Sequence, residues 1–205
     1  YGRYAMPRAL SVDEIHGITW AFAAAARRAV EAGFQAIEIH AAHGYLISQF
    51  LDPLSNVRDD EYGGGFEGRI RFLMETVDAV RSMIPEDMPL LVRVSATDWA
   101  AGGWDLDQTV RLAQVLKKHA VDLVDVSTGG IVSGVSVPVN PKYQVPFAQQ
   151  VRARAQVPVT AVGLITKPKQ AERIVEKGEA DAVEIGRAAL RDPYWPLRAA
   201  HKLGL

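Results

Sequence analysis

Cysteine is absent from all 205 residues, which removes disulfides, thiolate metal sites and cysteine nucleophiles from the available chemistry. Charge of one sign is not in excess either. The 23 Lys and Arg stand against 24 Asp and Glu, spread along the chain, so neither a nucleic-acid nor an anionic-membrane footprint is present. No membrane and no nucleic acid is the expectation, and a small-molecule partner is favoured. No stretch reaches the ~18 apolar residues of a membrane span, and Tyr1 to Leu10 form a mixed, loop-like string without an apolar signal core. The expected location is cytoplasmic by default. No Gly-x-Gly-x-x-Gly follows any apolar run, so the dinucleotide fingerprint of doubly wound folds is missing.

What is present is an ordinary globular composition, 48% hydrophobic, which predicts one core and a single domain over residues 1–205. Five short runs rich in Val and Ile recur: Ala36 to Ile39, Leu90 to Val94, Leu123 to Val126, Pro158 to Val162 and Ala182 to Ile185. Their near-continuous hydrophobicity predicts parallel strands buried on both faces by helices. Helix punctuation lies between them. Ser11 and Glu14 have capping-box spacing ahead of Ile15 to Glu31, with Gly33 as a stop, and Asp105 and Gln108 have the same spacing before Thr109 to His119. Thr166 precedes Lys167 to Lys177 with Gly178 behind it, and Asp192-Pro193 opens a last helix that ends near Gly204. Repeated β-then-α units, no dinucleotide fingerprint and fewer than the ~250 residues of a whole barrel predict an α/β fold of the TIM type. This chain is expected to cover roughly the last five β/α units of that (β/α)8 barrel, the N-terminal units lying outside it.

In such barrels the chemistry sits where strands end. His40, His43 and Tyr45 follow the first strand, Arg93 lies within the second, Ser127-Thr128-Gly129-Gly130 follow the third, Gly163 the fourth and Gly186-Arg187 the fifth. Two imidazoles three residues apart can converge on one carbonyl oxygen, with a phenol two residues on to supply a proton. A zinc site would need a third ligand, and none stands at a characteristic spacing. Histidines that only satisfy hydrogen bonds at a strand end remain the plain alternative. Gly163, Gly186 and Arg187 suit a phosphorylated ligand, since glycines permit close approach and a cation balances charge; turn glycines and a solvated arginine are the competing account. Arg93 needs an anionic partner, either a ligand or a carboxylate such as Glu38 or Asp125.

The string His40-Ala-Ala-His-Gly-Tyr-Leu46, followed by Gln49-Phe-Leu51, Asn56-Val-Arg58, Asp60-Glu-Tyr-Gly-Gly64 and Arg69, is similar to the signature region of the Old Yellow Enzyme family. Val92 to Ala96, Val126-Ser127, Val162 to Ile165, and Ile185 to Arg187 through Asp192-Pro193 follow the family's order, and the His-x-x-His form resembles its thermophilic-type bacterial branch. The resemblance implies an FMN-dependent oxidoreductase that takes hydride from NADPH or NADH and passes it to the alkene of an enone or nitroalkene. On that basis His40 and His43 hold the substrate oxygen, Tyr45 donates the proton, Arg93 contacts the flavin, and Val162, Gly163, Gly186 and Arg187 bind the FMN; no metal is implied. The family's first three units carry further FMN contacts, so a complementing N-terminal half or a homo-oligomer is an expected partner. Gly65 and Gly68 replace the usual Ser and Asn, implying a looser loop before a Phe66 to Met83 helix. The alternatives are a phosphate-binding barrel lyase, for which no strand supplies a Schiff-base lysine, and a non-catalytic fragment that only assembles with a partner.

Overall fold

A computed structural model describes residues 7–205; the loop-like opening read for the N-terminus lies, for residues 1–6, outside them. Elements alternate along the chain as α1 Val12–Glu31, β1 Ile37–Ala41, α2 Leu46–Leu51, α3 Phe66–Arg81, β2 Leu90–Ser95, α4 Leu106–Lys118, β3 Leu123–Ser127, α5 Val145–Ala155, β4 Val159–Ala161, α6 Pro168–Glu176, β5 Ala182–Val183, α7 Arg187–Arg191 and α8 Trp195–Leu203. The five strands form one sheet in the order β1-β2-β3-β4-β5, every pair parallel. Sequential order with a crossover after every strand is the arrangement of consecutive units in a β/α barrel. Among the described residues, β1 and β5 each pair on one side only. Among the described residues no helix is long and apolar enough to cross a membrane.

The strands are not apolar on both faces. Side chains alternate across a strand, so Ile37, Ile39 and Ala41 share one face of β1 with Leu90, Val92 and Val94 of β2, Val124 and Val126 of β3, and Val159 and Ala161 of β4. That face packs with Leu73, Val77, Leu112, Leu116, Val151 and Ile174 from the helices into one core cluster, each such side chain contributing on the order of 1.5–3 kcal/mol by leaving water. The other face carries Glu38, His40, Arg93, Ser95, Asp125, Ser127 and Thr160. It is the interior of the barrel, and polar alternation within short runs is its trace in the sequence.

Helix ends follow the capping chemistry in part. Ser11 and Glu14 form the reciprocal capping box of α1, and Asp105 accepts from the Gln108 N–H to open α4. Thr166 does not cap α6: Lys167 takes the N-cap, and the Gln170 side chain accepts from the Thr166 N–H instead. Asp192 closes α7, and α8 starts only at Trp195. Gly65 caps α3 without a side chain, but Gly68 tightens rather than loosens its start, because a Cβ there would lie 2.1 Å from the Gly63 carbonyl oxygen.

Beyond β2, the loop into α4 is sealed by two carboxyls, Asp98 and Asp52, which are 3% and 1% exposed. Asp98 Oδ2 accepts from the Trp104 N–H at 2.5 Å and Asp52 Oδ1 from the Leu54 N–H at 2.9 Å. Asp52 Oδ2 has no partner among the described residues. A proton on Asp98 supplies the missing donor: burial first, then the negative charge and hydrogen bond of Asp52 and the charge of Asp105, push its carboxyl up to about 7 against the Trp104 N–H. A raised folded-state value means stability that is present below the ordinary carboxylate range and is lost as pH rises through about 7. Asp98→Asn keeps the neutral form at every pH, so it is expected to raise unfolding stability by roughly 1 kcal/mol at pH 5, where the unfolded carboxyl is already ionised, and by roughly 3 kcal/mol at pH 8. Urea titrations of both proteins at the two pH values check this; a gain equal at both would refute the shared proton.

Candidate active site

Register puts His40 of β1 beside Arg93 of β2, Arg93 beside Asp125 of β3, and Asp125 beside Thr160 of β4. Partners in a parallel register project to the same side, so these four side chains form one row across the inner face. Arg93 Nε stands 2.7 Å from Asp125 Oδ2, a contact more electrostatic than aligned, and Arg93 Nη2 lies 3.2 Å from Glu184. Glu184 stands just beyond β5, two residues past Ala182, which neighbours Thr160. The expected carboxylate partners of Arg93 were Glu38 or Asp125; Asp125 fills that role and Glu184 was missed, while Glu38 makes no ion pair among the described residues. Asp125 also accepts from Thr160 at 2.9 Å. Burial, reinforced by Glu184, holds the Asp125 carboxyl above the usual range in spite of Arg93.

Glu38, Asp125 and Glu184 offer oxygens within 4.8 Å of one another. Arg93 already occupies the space between Asp125 and Glu184 as their counter-charge, which leaves no case for a cation there.

The chain turns as it leaves β1, with His43 at φ 61° and Gly44 at φ 76°, and this turn brings the predicted cluster together. The rings of His40 and His43 are 5.2 Å apart and those of His40 and Tyr45 5.3 Å. Tyr45 is 65% exposed. Burial, then the charge of Arg93, lowers His40 below its ordinary value, and the same two causes with His40 itself lower His43 to about 4. Both imidazoles are therefore neutral near pH 7, each with one N–H to give. His43 Nε2 lies 2.8 Å from Ser127 Oγ, whose hydroxyl donates to Gln144 Oε1 at 3.1 Å, where Thr128 also donates at 2.7 Å. A hydroxyl has one hydrogen, so Ser127 receives the Nε2–H of His43. Gln144, in the turn that begins α5, was not legible as a site residue: nothing in its neighbourhood marks it.

Val162, Gly163, Gly186 and Arg187 line one cleft, with Gln144, Thr166 and Glu184. Gly163 has φ 119°, and a Cβ there would press on Gln144 at 3.2–3.3 Å, so glycine is required. Gly186 has open space around its missing side chain. The main-chain N–H groups of Gly163 and Gly186 have no partner among the described residues, and exposed Arg187 makes no ion pair among them. Two free N–H donors and a free guanidinium in one cleft suit a phosphoryl group.

Residues 1–205 match the NADH:flavin oxidoreductase / NADH oxidase family. The chain is 50% identical over 199 residues to an NADPH dehydrogenase of Geobacillus thermodenitrificans, covering 97% of this chain and 58% of the relative. It is 45% identical over 204 residues to an NADPH dehydrogenase of Halalkalibacterium halodurans, covering 100% of this chain and 60% of the relative. It thus spans less than two thirds of the length of these curated relatives. Among solved structures, morphinone reductase in complex with tetrahydroNAD superimposes with a TM-score of 0.78 at 32% identity, over 98% of this chain and 52% of that one. A 2-naphthoyl-CoA reductase complex superimposes with a TM-score of 0.89 at 28% identity, over 95% of this chain and 30% of that one.

Replacing Arg93 by Met would leave Asp125 and Glu184 facing each other without a cation. The expected loss is about 3 kcal/mol and larger at pH 8 than at pH 5, where a proton on Asp125 stands in for the missing charge. Denaturant unfolding at the two pH values measures it. Equal losses would reduce Arg93 to a packing role.

Proposed function

This chain belongs to the NADH:flavin oxidoreductase / NADH oxidase family, and from that membership we propose that it forms the catalytic side of an FMN-dependent alkene reductase acting on enones or nitroalkenes. The observation that carries the reading is the placement of two chemically different groups of residues along one rim. His40, His43, Tyr45 and Arg93 gather at β1 and β2, and the oxyanion-seeking cleft lies at β4 and β5. At ~4.8 Å per strand spacing the two are about 10–15 Å apart, room for a ring system at one end and a polyol phosphate at the other.

FMN held there would accept hydride from NADPH or NADH and pass it to the β-carbon of the alkene. Gly163 and Gly186 would give their free N–H groups to the phosphate, Val162 would wall the cleft, and Arg187 would balance the charge. Arg93, tied to Asp125 and Glu184, would present a fixed positive charge to the flavin. His40 and His43, being neutral, would each donate an N–H to the substrate's carbonyl or nitro oxygen. The oxygen would replace Ser127 as acceptor of the His43 Nε2–H, and the negative charge that grows on it would be stabilised by preorganised donors. Tyr45 would give its phenolic proton to the α-carbon and recover one from solvent, for which its exposure is suited. Atoms balance: one hydride and one proton convert the alkene to the saturated product.

In the FMN-loaded protein, Tyr45→Phe is expected to leave flavin bleaching by NADPH unchanged and to slow reoxidation by 2-cyclohexenone about 10²-fold or more. Stopped-flow absorbance separates the two half-reactions. Unchanged reoxidation would remove Tyr45 from proton donation, and a protein that takes up no FMN would sink the reading as a whole.

A further inference from the structure

Resting on the reading of His43 as a donor to the substrate, we propose that Ser95 is a positioning residue for His43, holding that imidazole in place through its main chain. His43 adopts a left-handed backbone, φ 61°, which a residue with a Cβ takes up only where its surroundings over-determine it. The surroundings do so in two ways.

The first is a hydroxyl clasp. Ser95, 8% exposed at the end of β2, accepts from the His43 N–H at 3.0 Å and donates to the Gly129 carbonyl at 2.7 Å. One oxygen thus ties the loop after β1 to the loop after β3, across the strand between them. The far loops are held in turn, because the Gly129 N–H donates to the Thr97 carbonyl at 2.7 Å and the Gly44 N–H to Ser48 Oγ at 2.9 Å. The second is steric. A Cβ on Gly130 would lie 2.4 Å from His43 Cα, and one on Gly44 would lie 2.4 Å from the Gly130 carbonyl oxygen. The two loops meet backbone to backbone, with no slack for His43 to rotate while Ser95 holds its amide.

Ser95 therefore commits its hydrogen and an acceptor site to the two loops that carry His43 and, next to Gly129, Ser127 and Thr128. Since φ sets the direction of the Cα–Cβ bond, loss of the clasp lets His43 relax toward the common basins. Its ring then leaves both Ser127 and its half-buried seat. A hydroxyl that served only the fold would show no such selectivity for His43.

Nuclear magnetic resonance titration of the imidazoles tests this without any flavin. In the unaltered protein His43 is expected to stay neutral down to about pH 4. In Ser95→Ala its midpoint should rise toward the ordinary ~6.5, and Ser95→Thr, which keeps the hydroxyl, should return it. An unmoved His43 midpoint in Ser95→Ala overturns the proposal. Should Ser95→Ala not fold, Ser95→Cys keeps the volume while weakening both hydrogen bonds, and the same shift or its absence decides. With FMN bound, affinity for 2-cyclohexenone is expected to fall about tenfold in Ser95→Ala and not to fall further when the change is added to His43→Ala. A loss that persists in the His43→Ala background means a general structural role and counts against Ser95. Failure of the unaltered, FMN-loaded protein to bind 2-cyclohexenone, alongside a shifted His43 titration, overturns the substrate reading while supporting the clasp.

Discussion

A guanidinium set into the wall of a barrel has to be answered by carboxylates, and much of the rim follows from how Arg93 is answered. Asp125 at its side and Glu184 beyond the next strand fix its direction, and parallel register fixes its height beside His40. Burial and this charge together keep both imidazoles neutral. Neutrality matters because a neutral imidazole can donate one hydrogen bond without adding a second full positive charge beside Arg93. The same positive charge stands beside a buried acid and lowers the proton affinity of the two imidazoles next to it.

The rim loops translate this inner row into geometry. A strand ends, the backbone turns into the left-handed region at His43, and three rings come within about 5 Å of their neighbours. The turn is stabilised from outside itself, by a hydroxyl on β2 and by a glycine contact from the loop after β3. Loops carry function in barrels because strands hold them rigidly. Here a strand-end hydroxyl ties two of these loops together across the strand between them. At the other end of the rim the requirement differs: Gly163 must approach Gln144 closely, and Gly186 and Arg187 line the same cleft without a neighbour closing on them.

Much of this was legible in the linear order of residues. The strands fell where runs of Val and Ile lie, because one face of each must join the helix-packed core. The same runs concealed the inner face, since Glu38, Arg93 and Asp125 each interrupt an apolar stretch by a single residue. Short strands make alternation and continuity hard to tell apart, so the runs suggested helices on both faces even though Glu38 and Asp125 were expected inside the barrel as partners for Arg93. Helix starts were legible where a side chain closes the cap, at Ser11 and Asp105, and illegible where it does not, at Lys167 and Tyr194.

By itself the order of residues determined the local chemistry: which strands exist, that two histidines and a tyrosine follow the first, that an arginine interrupts the second, and which family the chain joins. Tertiary structure alone decided what these groups touch. Glu184 lies 91 residues beyond Arg93, Ser95 52 residues beyond His43, and Gln144 17 beyond Ser127. None of these pairs has a spacing that a helix or a strand would mark. The reason is physical: local sequence sets a backbone's preferences within a few residues, whereas register across a parallel sheet is set by the whole core and brings distant strand ends to one rim.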